Sequence, residues 1–282
     1  MLVNSKEILN NAKNQKYAVP HFNINNLEWT KYILETCEEM KSPVILGVSE
    51  STIKHMGGYN TVINIVKALI KDLNITIPTC IHLDHGSSIQ NCIDAINAGF
   101  TSVMIDASKY DLNKNINITK KVVEYAKKYN VSVEAELGYI GKSVDTLNNN
   151  IYPKIDDVIQ LVEKTNIDSI APALGNIHGL YREKPHLDFI RMKKISNKIN
   201  IPLVLHGGSG IYDSQITTAI ENGISKININ TELQITWSNA VREFLIQNPY
   251  IYDPRRIIES GKIAMQNKIK EKIILFGSNN KY

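Results

Sequence analysis

The chain contains 282 residues, of which 43% are hydrophobic, 21% charged and 7% aromatic. This composition is typical of a globular protein and excludes a disordered one, and the length allows one or two domains at about 150 residues each. The net charge of +4 is small and dispersed along the chain, so it gives no support to a nucleic-acid partner.

The cysteines and the apolar runs indicate a reduced, cytoplasmic protein. Cys37, Cys80 and Cys92 are odd in number and lack CxxC spacing, which argues against a secreted disulfide framework. The first residues lack the apolar stretch of a signal peptide, and no run of about 18 apolar residues predicts a membrane span. We therefore expect a cytoplasmic protein without a membrane partner.

Eight short β-branched runs alternate with longer amphipathic stretches. The predicted strands are 17–23, 43–49, 78–84, 101–106, 131–138, 168–175, 201–208 and 224–230. Apolar strands joined by helices are typical of a covered parallel sheet, and eight such units predict an α/β protein with a (β/α)8 TIM barrel. A doubly wound sheet is the alternative, but PHFNINN follows the first strand where that fold usually has GxGxxG. We expect a single domain over residues 1–282, with a helical extension from about residue 249.

Polar residues follow six of the predicted strands, at the end where barrel enzymes place their catalytic groups. Among them are His85, His178 and His206 after the third, sixth and seventh strands. Three imidazoles leave a fourth position on a zinc ion open for substrate, so these residues are candidate ligands of a catalytic metal. Asp106 and Glu136 add carboxylates that indicate either a second metal position or support and loop capping. We interpret the other four histidines as partly buried residues satisfied by carbonyl groups: His21, His55, His82 and His186.

The sequence HGGSG at 206–210 indicates a phosphate site. Glycines expose successive backbone N–H groups, and barrels bind phosphate after their seventh and eighth strands. Ser209, Asn228 and Thr231 are placed to complete such a site. Alternatively, the glycines of this motif serve only to allow a tight turn.

Taken together, these residues resemble the class II, zinc-dependent fructose-bisphosphate and tagatose-bisphosphate aldolases. The resemblance is carried in chain order by HFNINN, VSESTIKHMGG, HLDHG, MIDAS, EAELG, DSIAPALGNIHGLY, LVLHGGSGI, KININTELQ and YDPRR. It implies that His85, His178 and His206 hold zinc and that Asp106 and Glu136 hold a second position, for a divalent or a monovalent cation. It also implies a phosphorylated sugar substrate and a dimer or tetramer of identical chains.

The resemblance further implies roles for the remaining polar residues. Asp84 matches the acid that exchanges a proton with the aldehyde oxygen. The residues matching the site for dihydroxyacetone phosphate are Gly179, Gly207, Gly208, Ser209, Asn228, Asn230 and Thr231. Ser49 and Arg255 match positions that meet the other phosphate, and Asn23 of HFNINN is a further candidate for substrate binding.

The loop after Gly138 departs from the family pattern. The family continues with a glycine pair and a Glu-Asp, whose glutamate is implicated in moving the C3 proton, whereas this chain has Lys142 and Val144 there. We expect Asp145 to assist proton transfer, although a loop tip without a chemical role explains the same residues.

The chemistry agrees with a metal site. Cleavage beside a carbonyl leaves an enediolate, which needs either a Lewis acid or a lysine Schiff base. Lys226 is the only lysine within a predicted strand and precedes ININ, so we expect it near the strand entrance, away from the site. Asn230 can bond a hydroxyl and favours fructose 1,6-bisphosphate, with tagatose 1,6-bisphosphate or a related phosphoketose as the alternative. A barrel that binds a phosphosugar but is impaired in catalysis is a third hypothesis.

Overall fold

Eight parallel strands close into a barrel in sequence order in a computed structural model of the chain, which describes residues 1–138, 140–141, 152–179, 181 and 185–282. The strands are β1 Val19–Asn23, β2 Val44–Ser49, β3 Thr79–Gly86, β4 Ser102–Ile105, β5 Ser132–Leu137, β6 Ser169–Pro172, β7 Leu203–Leu205 and β8 Ile224–Ile229. The predicted (β/α)8 barrel is therefore confirmed. Each strand falls within its predicted run or extends slightly past it, and β7 is the shortest, with three residues before the glycine-rich loop.

Helices surround the barrel, and several of them begin at a polar capping residue. They are α1 Ser5–Gln15, α2 Leu27–Glu39, α3 Glu50–His55, α4 Tyr59–Asp72, α5 Ile89–Ala98, α6 Leu112–Lys127, α7 Ile155–Thr165, α8 Phe189–Ser196, α9 Asp213–Glu221, α10 Thr231–Gln247, α11 Pro254–Glu259 and α12 Lys262–Leu275. Asn26, Ser88 and Asp111 each accept a hydrogen bond from an N–H of the first turn that follows, which satisfies a donor that the helix leaves unpaired. None of the helices in the described part of the chain has the length and apolar character that a membrane crossing requires.

Side chains alternate along the strands between the helix-covered face and the barrel interior. Leu46, Leu83 and Val103 are fully buried and belong to the main hydrophobic core. Their neighbours His82 and Asp84 point the other way and contact residues of other strands inside the barrel. The period of two in the sequence thus separates an apolar layer that stabilises the fold from a polar interior.

Helix α1 closes the amino-terminal end of the barrel. Leu9 and Ala12 are fully buried and form a small apolar cluster with residues at the strand entrances, among them Val19 and Ile45. Ser5 Oγ lies 2.8 Å from Ser132 Oγ in the same region. The interior is therefore sealed at this end, so ligands enter from the opposite one.

Helix α12 packs against α2 and α10 and buries Met265, Ile269 and Ile273. It therefore covers its own barrel. On its other side Ile263 is 66% exposed and Ile274 is 61% exposed.

Candidate active site

A cavity of about 220 Å³ lies at the carboxyl end of the strands. The residues that line it are Asn23, Asn25, Ser49, Thr52, Asp84, His85, His178, Gly179, Gly207, Ser209, Asn228, Asn230 and Thr231. Eleven of these thirteen were candidates from the sequence, and Asn25 and Thr52 were not. The loops of six strands thus supply one site, as the position of polar residues after the strands predicts.

A bulge in β3 brings two consecutive side chains into this site. The β3–β4 register shifts between Leu83 and Gly86, and His85 has a backbone φ of 53°, in the left-handed region. Without this irregularity Asp84 and His85 would point to opposite faces of the strand. A left-handed conformation at a residue other than glycine is strained, and such strain is concentrated at functional sites.

The three histidines predicted as metal ligands come together. His206 Nδ1 lies 3.0 Å from His85 Nε2, and one ligand atom from each of His85, His178 and His206 lies within 4.8 Å of the others. His178 Nε2 is buried and has no hydrogen-bond partner among the described residues. Three converging imidazole nitrogens, one of them unpaired, fit a divalent transition metal.

The protonation of these rings differs with their neighbours. Burial, and then the nearby His85 and His206, lower the pKa of His178 to about 3. Burial also lowers the pKa of His206, against a hydrogen bond to Glu134. At His85 burial is outweighed by the bond to Asp106 and by nearby carboxylates, which raise its pKa to about 9. Two rings are therefore neutral at pH 7, and His85 holds a proton that a metal ion would have to displace.

Asp106 and Glu136 both lie close to Nδ1 of His85. Asp106 Oδ2 accepts a 3.0 Å hydrogen bond from His85 Nδ1, and Glu136 Oε2 lies 3.8 Å from the same nitrogen. Burial and the neighbouring Asp106 raise the pKa of Glu136 to about 8, and its Oε2 has no hydrogen-bond partner among the described residues. An unpaired buried carboxylate beside a second one fits a cation position next to the three-histidine group.

Two amides contact the carboxylate of Asp84. Its Oδ2 accepts a 2.8 Å hydrogen bond from Asn23 Nδ2, and its Oδ1 lies 3.5 Å from Asn228 Nδ2. Burial alone would raise the pKa of Asp84, but nearby positive groups, His21 first, lower it well below its usual range. The group is therefore ionised and able to accept a proton from a ligand in the cavity.

The HGGSG segment at 206–210, predicted to bind phosphate and here called the phosphate loop, differs from that prediction in its free N–H groups. The Gly208 N–H donates to Asn228 O and the Gly210 N–H donates to Glu232 Oε1, so HGGSG does not present a continuous run of free N–H groups. Gly208 instead allows close packing, because a Cβ there would lie 2.5 Å from Ile227 Cγ2.

The start of α10 lies beside this loop, and the N–H groups of its first turn have no partner within the helix. Its capping residue, Asn230, makes no side-chain cap bond, and Thr231 is the first residue of the helix. Ser209 Oγ lies beside this turn and accepts from the Glu232 N–H at 3.3 Å. A helix amino terminus attracts anions through its free N–H groups and its dipole, so a phosphate fits between α10 and Gly179.

The two candidates for the other phosphate are placed differently. Ser49 lines the cavity and caps α3, where its Oγ accepts from the Thr52 N–H. Arg255 has a side chain that is 88% exposed and pairs with Asp253 at 2.8 Å, away from the cavity lining. Asp145, the candidate for proton transfer, lies outside the residues that the structure describes.

Lys226 is the third residue of β8, pairs in register with the first residue of β1 and does not line the cavity, in agreement with the expectation that it lies toward the strand entrance. Its side chain is fully buried inside the barrel, and its Nζ donates to both oxygens of Glu134 at 2.8 and 3.0 Å. The sequence did not indicate this ion pair. The amine of Lys226 is engaged in it, which does not favour a Schiff base.

The remaining histidines also depart from expectation in part. His55 and His186 are exposed. His21 and His82 are buried inside the barrel, where His82 Nδ1 lies 2.8 Å from Ser102 Oγ and His21 has no hydrogen-bond partner among the described residues. Neither of these two is bonded to a carbonyl in the described part of the chain, contrary to our interpretation of the sequence.

Three residues that the sequence did not single out make hydrogen bonds to His206 or Gly207. Asn176 Nδ2 donates to His206 O at 2.9 Å, and Tyr181 Oη donates to Gly207 O at 3.1 Å. Glu134 Oε1 accepts from His206 Nε2 at 2.9 Å. The signal for Glu134 was present, since it alternates with Glu136 on β5, whereas Asn176 and Tyr181 lie in loops without periodicity.

The barrel and the histidine–carboxylate cluster at its open end define a metal-dependent barrel enzyme. The comparisons with known proteins make the assignment specific, because the chain matches the family described as class-II fructose-bisphosphate aldolase over residues 3–281. The chain belongs to this family, and the class II aldolase predicted from the sequence is confirmed.

Individual relatives agree over the full length. A fructose-bisphosphate aldolase of Geobacillus stearothermophilus is 54% identical over 282 residues, which is 99% of this chain and 98% of the relative. A fructose-bisphosphate aldolase of Staphylococcus epidermidis is 50% identical and covers 99% of both chains. The crystal structure of the YdjI aldolase from Escherichia coli K12 has a TM-score of 0.88 and 36% identity, and covers 100% of this chain and 99% of that one.

Metal affinity is expected to rise with pH. The pKa of His85 is raised to about 9 before metal binds, so this ring carries a proton at pH 6 that an ion at the three-histidine group must displace. Co²⁺ affinity should therefore increase roughly tenfold per unit from pH 6 to 8 and level off only above about pH 9, where His85 deprotonates without metal. Chelator-competition titrations over this range measure the slope, and an affinity independent of pH would contradict the assignment.

Proposed function

We propose that this chain uses zinc to cleave fructose 1,6-bisphosphate reversibly into dihydroxyacetone phosphate and glyceraldehyde 3-phosphate. The proposal is carried by three buried atoms without partners among the described residues, namely His178 Nε2, Asn228 Oδ1 and Asn230 Oδ1, which belong to residues lining one cavity. Leaving a buried polar atom unpaired costs about 1–3 kcal/mol. A cavity with several such atoms is prepared for a polar ligand.

His85, His178 and His206 would hold the zinc ion. Three nitrogen ligands leave a coordination position for substrate, which is the arrangement of catalytic zinc sites. The chemistry that zinc supplies when bound is Lewis-acid polarisation of the ketose carbonyl. Asp106 and Glu136 would hold a second cation, divalent or monovalent, beside His85.

Asp84 moves the proton of the C4 hydroxyl. Asp84 is ionised and lines the cavity, so its carboxylate can take this proton as the C3–C4 bond breaks, and the same group returns the proton to the aldehyde oxygen in condensation. Asn23 and Asn228 fix the orientation of its two oxygens. A carboxylate with little freedom of rotation is well placed for transfer in both directions.

Two parts of the cavity would bind the phosphates. Gly179, Gly207, Gly208, Ser209 and the stretch from Asn228 through Asn230 to Thr231 would hold dihydroxyacetone phosphate, supported by the free amino terminus of α10. Ser49 and Arg255 would meet the phosphate of the aldehyde half. Because Arg255 is exposed and paired with Asp253, its contribution requires a change of rotamer or the approach of another chain.

A cleavage assay on both C4 epimers, with and without chelator, tests the proposed reaction. We expect fructose 1,6-bisphosphate to be cleaved with the higher kcat/KM, by a factor of about 10² over the tagatose epimer, because Asn230 can bond one configuration of the hydroxyl. Exhaustive chelation should abolish cleavage, and Zn²⁺ should restore it. Asp84→Ala should lower kcat by about 10²–10⁴ while metal binding persists.

Other outcomes of the cleavage assay would indicate a different substrate, a binding role or a mechanism without zinc. A preference for the tagatose epimer identifies a tagatose-bisphosphate aldolase on the same scaffold. Absence of cleavage in a preparation that binds zinc and phosphosugar identifies a binding barrel. Cleavage that survives chelation, or a substrate adduct trapped by borohydride, contradicts the zinc mechanism.

Asp145 is proposed to assist transfer of the C3 proton. Asp145→Asn should reduce both turnover and exchange of that proton with solvent, by about 10²-fold if it acts as the base. Ser143→Ala, in the same loop, serves as the control and should leave both unchanged. If Asp145→Asn leaves turnover and C3 exchange intact, the loop has no part in this step.

We propose that the chain forms a dimer or tetramer in a reduced, cytoplasmic setting. Large apolar side chains stand in solvent where α10 ends, with Ile246 80%, Tyr250 92% and Tyr252 91% exposed, and such groups commonly mark an interface. Cys37, Cys80 and Cys92 are buried free thiols, which suits a reducing compartment.

Sedimentation measures the proposed assembly and should report two or four chains. The double variant Tyr250→Ser, Tyr252→Ser should weaken the assembly, because it removes exposed aromatic rings from the proposed interface. A wild-type monomer at micromolar concentration would contradict this.

A further inference from the structure

An ion pair lies inside the barrel beneath the cavity. Lys226 on β8 and Glu134 on β5 are 0% and 2% exposed, and Lys226 Nζ is 2.8 Å from Glu134 Oε2 and 3.0 Å from Oε1. These strands are not neighbours in the sheet, so the two side chains meet across the barrel. Neither residue is part of the described cavity lining.

The pair reaches the site through one histidine. Glu134 Oε1 accepts a 2.9 Å hydrogen bond from His206 Nε2, and His206 Nδ1 lies 3.0 Å from His85 Nε2 in the three-histidine group. A neutral imidazole carries one proton, so a carboxylate that accepts from Nε2–H leaves the lone pair on Nδ1. The bond from Glu134 therefore selects the tautomer whose free nitrogen faces the metal position.

Lys226 supplies the counter-charge for the buried carboxylate of Glu134. A carboxylate buried without a counter-charge costs several kcal/mol, and an ammonium bonded to both of its oxygens offsets that cost. Branched apolar residues usually fill this part of a barrel, and a buried ion pair seldom stabilises a fold more than apolar residues of the same volume. The pair is therefore poorly explained by stability alone.

We propose that Glu134 and Lys226 are positioning residues for the metal, acting together to hold His206 in the tautomer and orientation in which Nδ1 is the ligand. Glu134 makes the hydrogen bond, and Lys226, bonded to both of its oxygens, holds Oε1 against His206 Nε2. This inference rests on the proposed function, because it takes His206 as a metal ligand.

A double variant separates positioning from folding. Glu134→Leu combined with Lys226→Met removes both charges and leaves no unpaired ion in the interior, so the metal-free protein should keep or raise its melting temperature. Its Co²⁺ dissociation constant should rise about 10–100-fold, the usual effect of removing the outer partner of a ligating histidine. The visible absorption band of bound Co²⁺ should change as well, because the geometry of one ligand is altered.

Two single changes serve as controls. Ser169→Ala removes a 3.2 Å bond from Ser169 Oγ to Glu134 Oε2 without touching the ion pair or His206, and it should leave Co²⁺ affinity within about threefold of wild type. Lys226→Arg keeps a cation beside Glu134 and should retain more Co²⁺ affinity than Lys226→Met made alone.

The results separate this inference from the function on which it rests. Wild-type Co²⁺ affinity in the double variant overturns the positioning role, and so does a loss of affinity that merely follows a lowered melting temperature of the metal-free protein. Failure of the unmodified protein to bind Co²⁺ at all overturns the proposed metal site, and the inference with it. That last failure is recognised because it appears before any residue is changed.

Discussion

The site depends on one departure from strand geometry, the bulge at the end of β3. A regular strand sends consecutive side chains to opposite faces, so a sequence that needs both Asp84 and His85 at one ligand must break the period of two. The left-handed backbone of His85 makes that break. Gly86 follows it, where a Cβ would lie 2.5 Å from Met104 O and 2.8 Å from Cys92 Sγ. The residue proposed to transfer the proton and a residue proposed to hold the metal therefore line the same cavity because the backbone leaves strand geometry at His85.

The barrel interior explains how so polar a site is supported. At the closed end α1 seals the strand entrances with apolar side chains and serines. Above this layer lie His21, His82 and the Lys226–Glu134 pair, and above them the residues of the cavity. The two charged groups of this middle layer, Lys226 and Glu134, neutralise each other. His21 and His82 keep buried nitrogens without a hydrogen-bond partner among the described residues, so unpaired polar atoms extend below the cavity.

Much of this could be read from the sequence, because the signals involved are local. Strand number and order follow from the alternation of β-branched runs, and the ends of those runs place Asp84, His85, Glu136 and His206 at one edge. What the sequence could not give depends on contacts across the barrel. The ion pair of Lys226 was not foreseen, because its partner Glu134 is 92 positions away.

The phosphate loop shows a second limit of the same kind. Glycine spacing indicates which backbone can come close to an anion, but not which N–H groups remain free. Gly208 and Gly210 donate within the fold, so the start of α10 becomes the main source of donors. The choice of bond at Gly210 depends on Glu232, whose orientation the sequence did not reveal.

Glu232 also connects the site to the carboxyl-terminal helix. Its Oε1 accepts from the Gly210 N–H, and its Oε2 lies 2.7 Å from Nζ of Lys272, a residue of α12 that is only 3% exposed. Lys272 therefore neutralises a carboxylate at the start of α10, where a phosphate is proposed to bind. Through Glu232 the HGGSG segment is linked to a helix that packs on α2 and α10. Helix α12 thus sets the charge next to the cavity as well as covering the outer layer of the barrel.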